Sequence, residues 1–225
     1  VLFLTAADTE VASIANACEH HGDLNWRIAN LGQLMHPMSV DTYIDRTVQH
    51  AKLIVIRALG GASYFSYALE ACFAAACQFC IKIIVVPGDD KADPELFRFS
   101  NVAVEDRDQL WHYLIQGGQA NSNNFVAYCE AMLADIDRPQ AAVPLLKAGL
   151  YWPEKSPQNL SDLQAYWIDG APVVAISFYR ALVQSGQTAP IDALIHQLIS
   201  LGINPLPIYV SSLKDDISQA TVSNF

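Results

Sequence analysis

Leu53-Ile54-Val55-Ile56 runs into Arg57-Ala58-Leu59-Gly60-Gly61, then a helical stretch from about Ser63 to Phe79, then Ile81-Lys82-Ile83-Ile84-Val85-Val86, closed by Pro87-Gly88. Two short, nearly continuous apolar runs with a helix between them describe a β-α-β unit whose strands are buried on both faces. Ala71, Ala74 and Ala75 permit the helix to approach a sheet closely. The same rhythm extends backwards. Val1–Thr5 and Leu24–Ala29 read as two further strands. Asp8 caps a helix with Val11, Ile14, Ala15 and Cys18 at helical spacing, and Ser39 caps another with Val40, Tyr43, Ile44 and Val48. The first part is therefore an α/β fold of flavodoxin or Rossmann type: a mostly parallel sheet with helices on both faces.

Beyond it, helices are expected over Asp106–Gln116 and Asn124–Ile136. A connection rich in Pro and aromatics follows, with Pro139, Pro144, Pro153, Pro157, Tyr151, Trp152, Tyr166 and Trp167. Its aromatics mark it as packed rather than flexible. A second α/β unit opens at Pro172, with strands Val173–Ser177 and Leu206–Val210, a helix opened by Thr188 and Pro190, and Ser212 as the cap of a last helix. The organisation expected is an α/β domain over 1–137, a connection over 138–171, and the start of a second α/β domain over 172–225. Both ends read as cut from a longer protein.

Composition sets limits on function. The chain has 225 residues, 52% of them apolar and 16% charged, which is globular composition. Acidic side chains number 23 against 13 basic, a formal net charge of -10. No Lys/Arg cluster forms the basic stripe that nucleic acid requires. The most apolar stretch, Ala68–Val86, carries Glu70, Gln78 and Lys82 and is not an uninterrupted membrane span. Five cysteines without a disulfide framework, and no signal peptide, point to reduced thiols and a cytoplasmic protein. Cys77 and Cys80 form a lone C-x-x-C without the second pair that structural zinc needs, and Cys72 and Cys77 read as buried apolar thiols. His20-His21 sits at a helix end, where imidazole suits the dipole.

Ligands of open parallel sheets bind beyond the carboxyl ends of the strands. There the sequence places Asp8, then Arg57 with Gly60-Gly61, then Asp89-Asp90. Asp8 reads equally as a cap and the Asp89-Asp90 pair as a solvated turn. Arg57 ends an apolar strand and needs an anion, which is either the Asp89-Asp90 turn or a carboxylate ligand. Gly60-Gly61 removes side chains where a helix begins, which exposes N–H donors. No Gly-x-Gly-x-x-Gly, Walker A or Gly-x-Ser-x-Gly sequence is present.

Three stretches carry a resemblance: Arg57–Tyr64 with Tyr67 and Glu70; Val86–Asp90 with Asp93-Pro94-Glu95-Leu96; and Phe178-Tyr179-Arg180-Ala181 with Ser185–Leu194 and Ser212-Leu213-Lys214. Together they are similar to the large subunit of cobaltochelatase, whose family includes the H subunit of magnesium chelatase. The resemblance implies a tetrapyrrole-binding subunit that hosts metal insertion, in the cobalt branch into hydrogenobyrinic acid a,c-diamide for cobalamin and in the magnesium branch into protoporphyrin IX. It implies ATP use by separate AAA+ subunits of the complex, so this segment itself binds no cofactor or metal. Its partners are the tetrapyrrole, those ATPase subunits and the remainder of its own chain, of which 225 residues are roughly a fifth. It makes Arg57 and Arg180 anchors for ring carboxylates and Tyr64, Tyr67 and Tyr179 covers for a ring face. A flavodoxin-like small-molecule module is the alternative. Its phospho-acceptor variant is set aside, because Arg57 stands where that variant needs Asp.

Overall fold

The computed structural model describes residues 1–20, 24–155 and 157–224. His21 lies outside them. Contacts divide the chain into a unit over Val1–Val143 and a unit over Pro144–Phe225.

The first unit is ordered β1 (Leu2–Thr5), α1 (Asp8–His20), β2 (Arg27–Asn30), α2 (Pro37–Arg46), β3 (Leu53–Ala58), α3 (Ser66–Gln78), β4 (Lys82–Pro87), α4 (Pro94–Phe97), α5 (Val104–Gln116) and α6 (Gln119–Ala134). All strand pairs are parallel, in the order β2-β1-β3-β4. Side chains alternate between two cores. Leu2, Leu4, Ile54, Ile56, Ile83 and Val85 face α2 and α3 with Val40, Leu69 and Cys72. Phe3, Leu53, Val55, Ile84 and Val86 face α1, α5 and α6 with Ile14, Leu110 and Phe125. That period of two, buried on both sides, is why the strands read as unbroken apolar runs.

Local signals were partly misassigned. The α2 cap is His36, whose Nδ1 accepts from Met38 N–H at 3.2 Å, because Pro37 sets the first helical residue; Ser39 lies inside the helix. β2 begins at Arg27 rather than Leu24, since the amino terminus donates to the Asn25 carbonyl and holds that residue before the ladder starts. Cys72 is buried, but Cys77 and Cys80 are exposed at the solvent end of α3.

The outer edge of β4 is closed by side chains. The Ile83 N–H donates to Asn101 Oδ1 at 2.8 Å, the Asn101 amide donates to the Ile81 carbonyl at 2.9 Å, and Val85 N–H donates to Ser100 Oγ at 2.9 Å. Two polar side chains thus complete the ladder where, among the described residues, no strand pairs with β4 on that side.

The second unit contains β5 (Ala148–Leu150), α7 (Leu160–Gln164), β6 (Val173–Tyr179), α8 (Arg180–Ser185), α9 (Ala189–Ser200), β7 (Asn204–Val210) and α10 (Asp216–Ser223). Its sheet runs β5-β7-β6, with β6 parallel and β5 antiparallel to β7. One face of the sheet packs Ile176, Phe178 and Tyr209 on Ile195 of α9. The other packs Leu206, Ile208 and Val210 with Leu150 and Leu163.

The passage read as a connection over 138–171 is divided. Val143 N–H donates to Asn121 Oδ1 at 2.8 Å and belongs to the first unit, whereas Ala148–Leu150 pairs with β7. Trp152 stacks on Tyr166 at 4.9 Å, and Trp167 Nε1 donates to the Pro205 carbonyl at 2.9 Å, so these aromatics are part of the second unit. Ser212 does not cap the last helix either. Asp215 does, its carboxylate accepting from Ser218 N–H at 3.1 Å.

Candidate functional site

The chain leaves β1 toward β2 on one side of the sheet and returns to β3 on the other. In open α/β sheets the crevice at that reversal is where ligands sit. Here Thr5 and Arg57 are register partners at the carboxyl ends of β1 and β3, so both border it.

The chain fills the crevice with its own side chains. Arg57 Nη1 lies 2.6 Å from Glu10 Oε1, and Thr5 Oγ1 donates to Glu10 Oε2 at 2.6 Å. Arg57 Nη2 donates to the Gly88 carbonyl at 2.8 Å. The Nη1 contact is an ion pair without hydrogen-bond alignment, and Arg57 Nε is buried without an acceptor. Burial dominates both partners: it raises the pKa of Glu10 and lowers that of Arg57, each against the attraction of the other. The anion that Arg57 needs is therefore Glu10, from the first turn of α1, and not the Asp89-Asp90 turn. Asp89 adds only a weaker attraction at longer range.

The Asp89-Asp90 turn is positioned through its backbone. Arg57 holds the Gly88 carbonyl, and Trp111 Nε1 donates to the Asp89 carbonyl at 3.0 Å. Both carboxylates are exposed, with Asp89 Oδ1 accepting from Lys91 N–H at 3.2 Å. Gly88 is required by contact: a Cβ there would stand 2.6 Å from Leu59 Cγ and 2.9 Å from Leu59 Cα. Gly60 and Gly61 have φ of 93° and 86°, so their role is backbone geometry. They lead into one short 3-10 turn, Ala62–Phe65, before α3, and not directly into a long helix with free N–H donors.

Tyr64 and Tyr67 are exposed by 62% and 43%, so neither belongs to the core. Tyr64 makes an edge contact with Phe65 at 5.0 Å, and Tyr67 OH donates to Asp41 Oδ1 at 2.8 Å. Beside them a groove of about 440 Å³ is lined by Gly61, Ser63, Ser66, Glu70, Asp93 and Arg98, among others. Among the described residues, no group of three or more His, Cys, Asp or Glu side chains is arranged to hold a metal ion. No helix there is long and apolar enough to cross a membrane.

Tyr179 and Arg180 lie in the second unit. Tyr179 ends β6 and is exposed by 68%. Arg180 Nε and Nη2 donate to the Leu146 and Leu145 carbonyls, both at 2.9 Å, which ties the start of α8 to the segment before β5. The structure thus brings together Arg57, Gly60, Gly61, Asp89 and Asp90 at one sheet edge, with Tyr64 and Tyr67 just beyond. It adds Thr5 and Glu10. The signal for Glu10 was present, because a first-turn acid after β1 faces the end of the neighbouring strand.

Residues 111–225 match the CobN/Magnesium Chelatase family. The chain belongs to that family. Among its relatives, the aerobic cobaltochelatase subunit CobN of a Sinorhizobium species is 51% identical over 232 aligned positions, covering 99% of this chain and 18% of the relative. The subunit of that name from Pseudomonas aeruginosa is 34% identical over 231 positions, covering 100% of this chain and 18% of its own length. The chain therefore spans under a fifth of the relatives it matches. The catalytic subunit of cobaltochelatase from Mycobacterium tuberculosis shares the fold, with a TM-score of 0.74 at 24% identity over 99% of this chain and 17% of that one.

Proposed function

We propose that these residues form part of the tetrapyrrole-binding large subunit of a cobaltochelatase, whose complex inserts cobalt into hydrogenobyrinic acid a,c-diamide during cobalamin synthesis in the cytoplasm. The observation that carries the reading is the 51% identity to a CobN subunit across 99% of the chain. In this reading ATP is hydrolysed on separate AAA+ subunits, which accords with the lack of a Walker A sequence here.

Insertion requires two pyrrole N–H protons to leave while a hydrated divalent cation sheds water, so a general base and metal-carrying groups must meet the ring. We assign that step to the part of the subunit outside residues 1–225. Within them, Arg57 is committed to Glu10 and Arg180 to backbone carbonyls, which favours structural roles for both. Tyr64, Tyr67, Asp89 and Asp90 remain exposed at one sheet edge, where a ring or another segment of the subunit can reach them.

The test is metal insertion by the full-length subunit with its ATPase partners, followed by the absorbance of the ring. ATP-dependent incorporation of cobalt into the corrin-pathway ring is expected. Incorporation of magnesium into protoporphyrin IX instead would move the protein to the other branch of the family. ATP-independent behaviour with either ring would overturn the assignment.

A further inference from the structure

β6 is a seven-residue strand, Val173-Val174-Ala175-Ile176-Ser177-Phe178-Tyr179, without a single charge. It pairs with β7 on one side, and among the described residues no strand pairs with its other side. Ile176 and Phe178 are buried toward α9. The opposite face is bare: Val173 is exposed by 49%, Tyr179 by 68%, and Ala175 and Ser177 are exposed between them. On that face the packing against Leu163 covers Leu206, Ile208 and Val210 of β7 and stops there. Even Val174, on the packed face, is 42% exposed.

Strands of parallel sheets are covered on both faces, and exposed edges are normally short, charged or capped. This protein follows that rule elsewhere. The β4 edge is closed by Ser100 and Asn101, and the β2 edge is four residues long and begins with exposed Arg27. β6 has none of these devices. A long, uncharged, β-branched and aromatic edge left in water is a template for association. Its composition suits the interior of a sheet.

We infer that β6 is an internal strand in the whole subunit, paired along its free edge by a strand–helix unit of the same subunit that lies outside residues 1–225, with the helix covering Val173, Ala175 and Tyr179. The relatives supply the length, since this chain covers only 18% of each. The occupant must be an extended segment with apolar, uncharged side chains facing β6, because every exposed side chain it would cover on β6 is uncharged. Tyr179 is then an internal contact rather than a cover for a ring. The inference rests on the whole-subunit reading above, but only for the source of the strand.

Residue-resolved hydrogen exchange on the full-length subunit tests it, with two standards inside the protein. β3, paired on both sides, is the interior standard, and β2, paired on one, is the edge standard. Consecutive amides of 173–179 are expected to be slow like those of 53–58, with the outward-facing ones about a hundredfold slower than their counterparts in 27–30. An alternating pattern of slow and fast amides, as at an edge, would overturn the inference. So would protection that disappears on dilution, because the occupant would then be a second copy of the chain. Neither metal nor ring enters this readout, so it can fail while the chelatase assignment stands, and the reverse.

Discussion

Removing either partner of the Arg57–Glu10 pair should destabilise the first unit, and the two removals should not cost the same. Arg57 is the more deeply buried, with its side chain 6% exposed against 20% for Glu10. Breaking a buried ion pair by deleting one partner costs roughly 3–5 kcal/mol when the other is left as an uncompensated charge. Glu10→Ala removes the two oxygens that even a protonated Glu10 would still present to Arg57 and Thr5, and leaves a buried guanidinium that cannot shed its proton, so about 3–4 kcal/mol is expected. Arg57→Met strands a carboxylate that keeps its Thr5 hydrogen bond and can accept a proton. That variant loses the bond to the Gly88 carbonyl, about 1 kcal/mol, and a further 1–2 kcal/mol for the lone acid. In melting temperature these are losses of about 6–16 °C and 4–12 °C. The double variant should cost about 1–3 kcal/mol less than the sum of the singles. Urea unfolding of the wild type, both singles and the double gives all four corners. Additive losses would mean that the two residues act independently and that the crevice is not plugged by a pair.

The raised pKa of Glu10 gives a pH dependence opposite to that of an ordinary paired acid. Its contribution is full below the unfolded value near 4.5 and is lost as pH rises through the higher folded value. The stability of the wild type relative to Glu10→Gln should therefore grow as pH falls from neutral toward 4.5; melting curves in that window check it, and the opposite slope would show that attraction to Arg57 outweighs burial. Asn101→Ala uncovers the β4 edge at Ile81 and Ile83 and should cost about 2–3 kcal/mol in chemical denaturation, because two ladder groups lose their partners. Gly88→Ala pushes a methyl group into the Leu59 backbone and should cost about 1–3 kcal/mol by the same measurement.

The sheet of the first unit was legible because its strands are buried on both faces, and continuous apolar runs such as Leu53–Ile56 leave few other readings. The helix α4 and strand β5 were not. Four residues after Asp93-Pro94 carry no periodicity, and Ala148-Gly149-Leu150 has little strand propensity of its own. The strand expected from Leu206 begins two residues earlier, at Asn204, and takes in Pro205 as well as Pro207. At the site, the sequence placed Arg57, Gly60, Gly61 and Asp89 on one edge correctly. It could not show which carboxylate Arg57 reaches, because that depends on how α1 crosses from β1, a tertiary fact. The resemblance named Arg57 and Arg180 as ligand anchors, but their distances to Glu10 and to the 145–146 carbonyls give them internal partners.

Gly149 and Tyr209 face one another across β5 and β7, and a Cβ on Gly149 would stand 2.7 Å from the Tyr209 hydroxyl. The ring occupies the space that any side chain at 149 would take. The two positions consequently share one volume and constrain each other's mutational history. A larger residue at 149 becomes acceptable only after 209 has shrunk, and a smaller residue at 209 opens a hole that 149 is placed to fill.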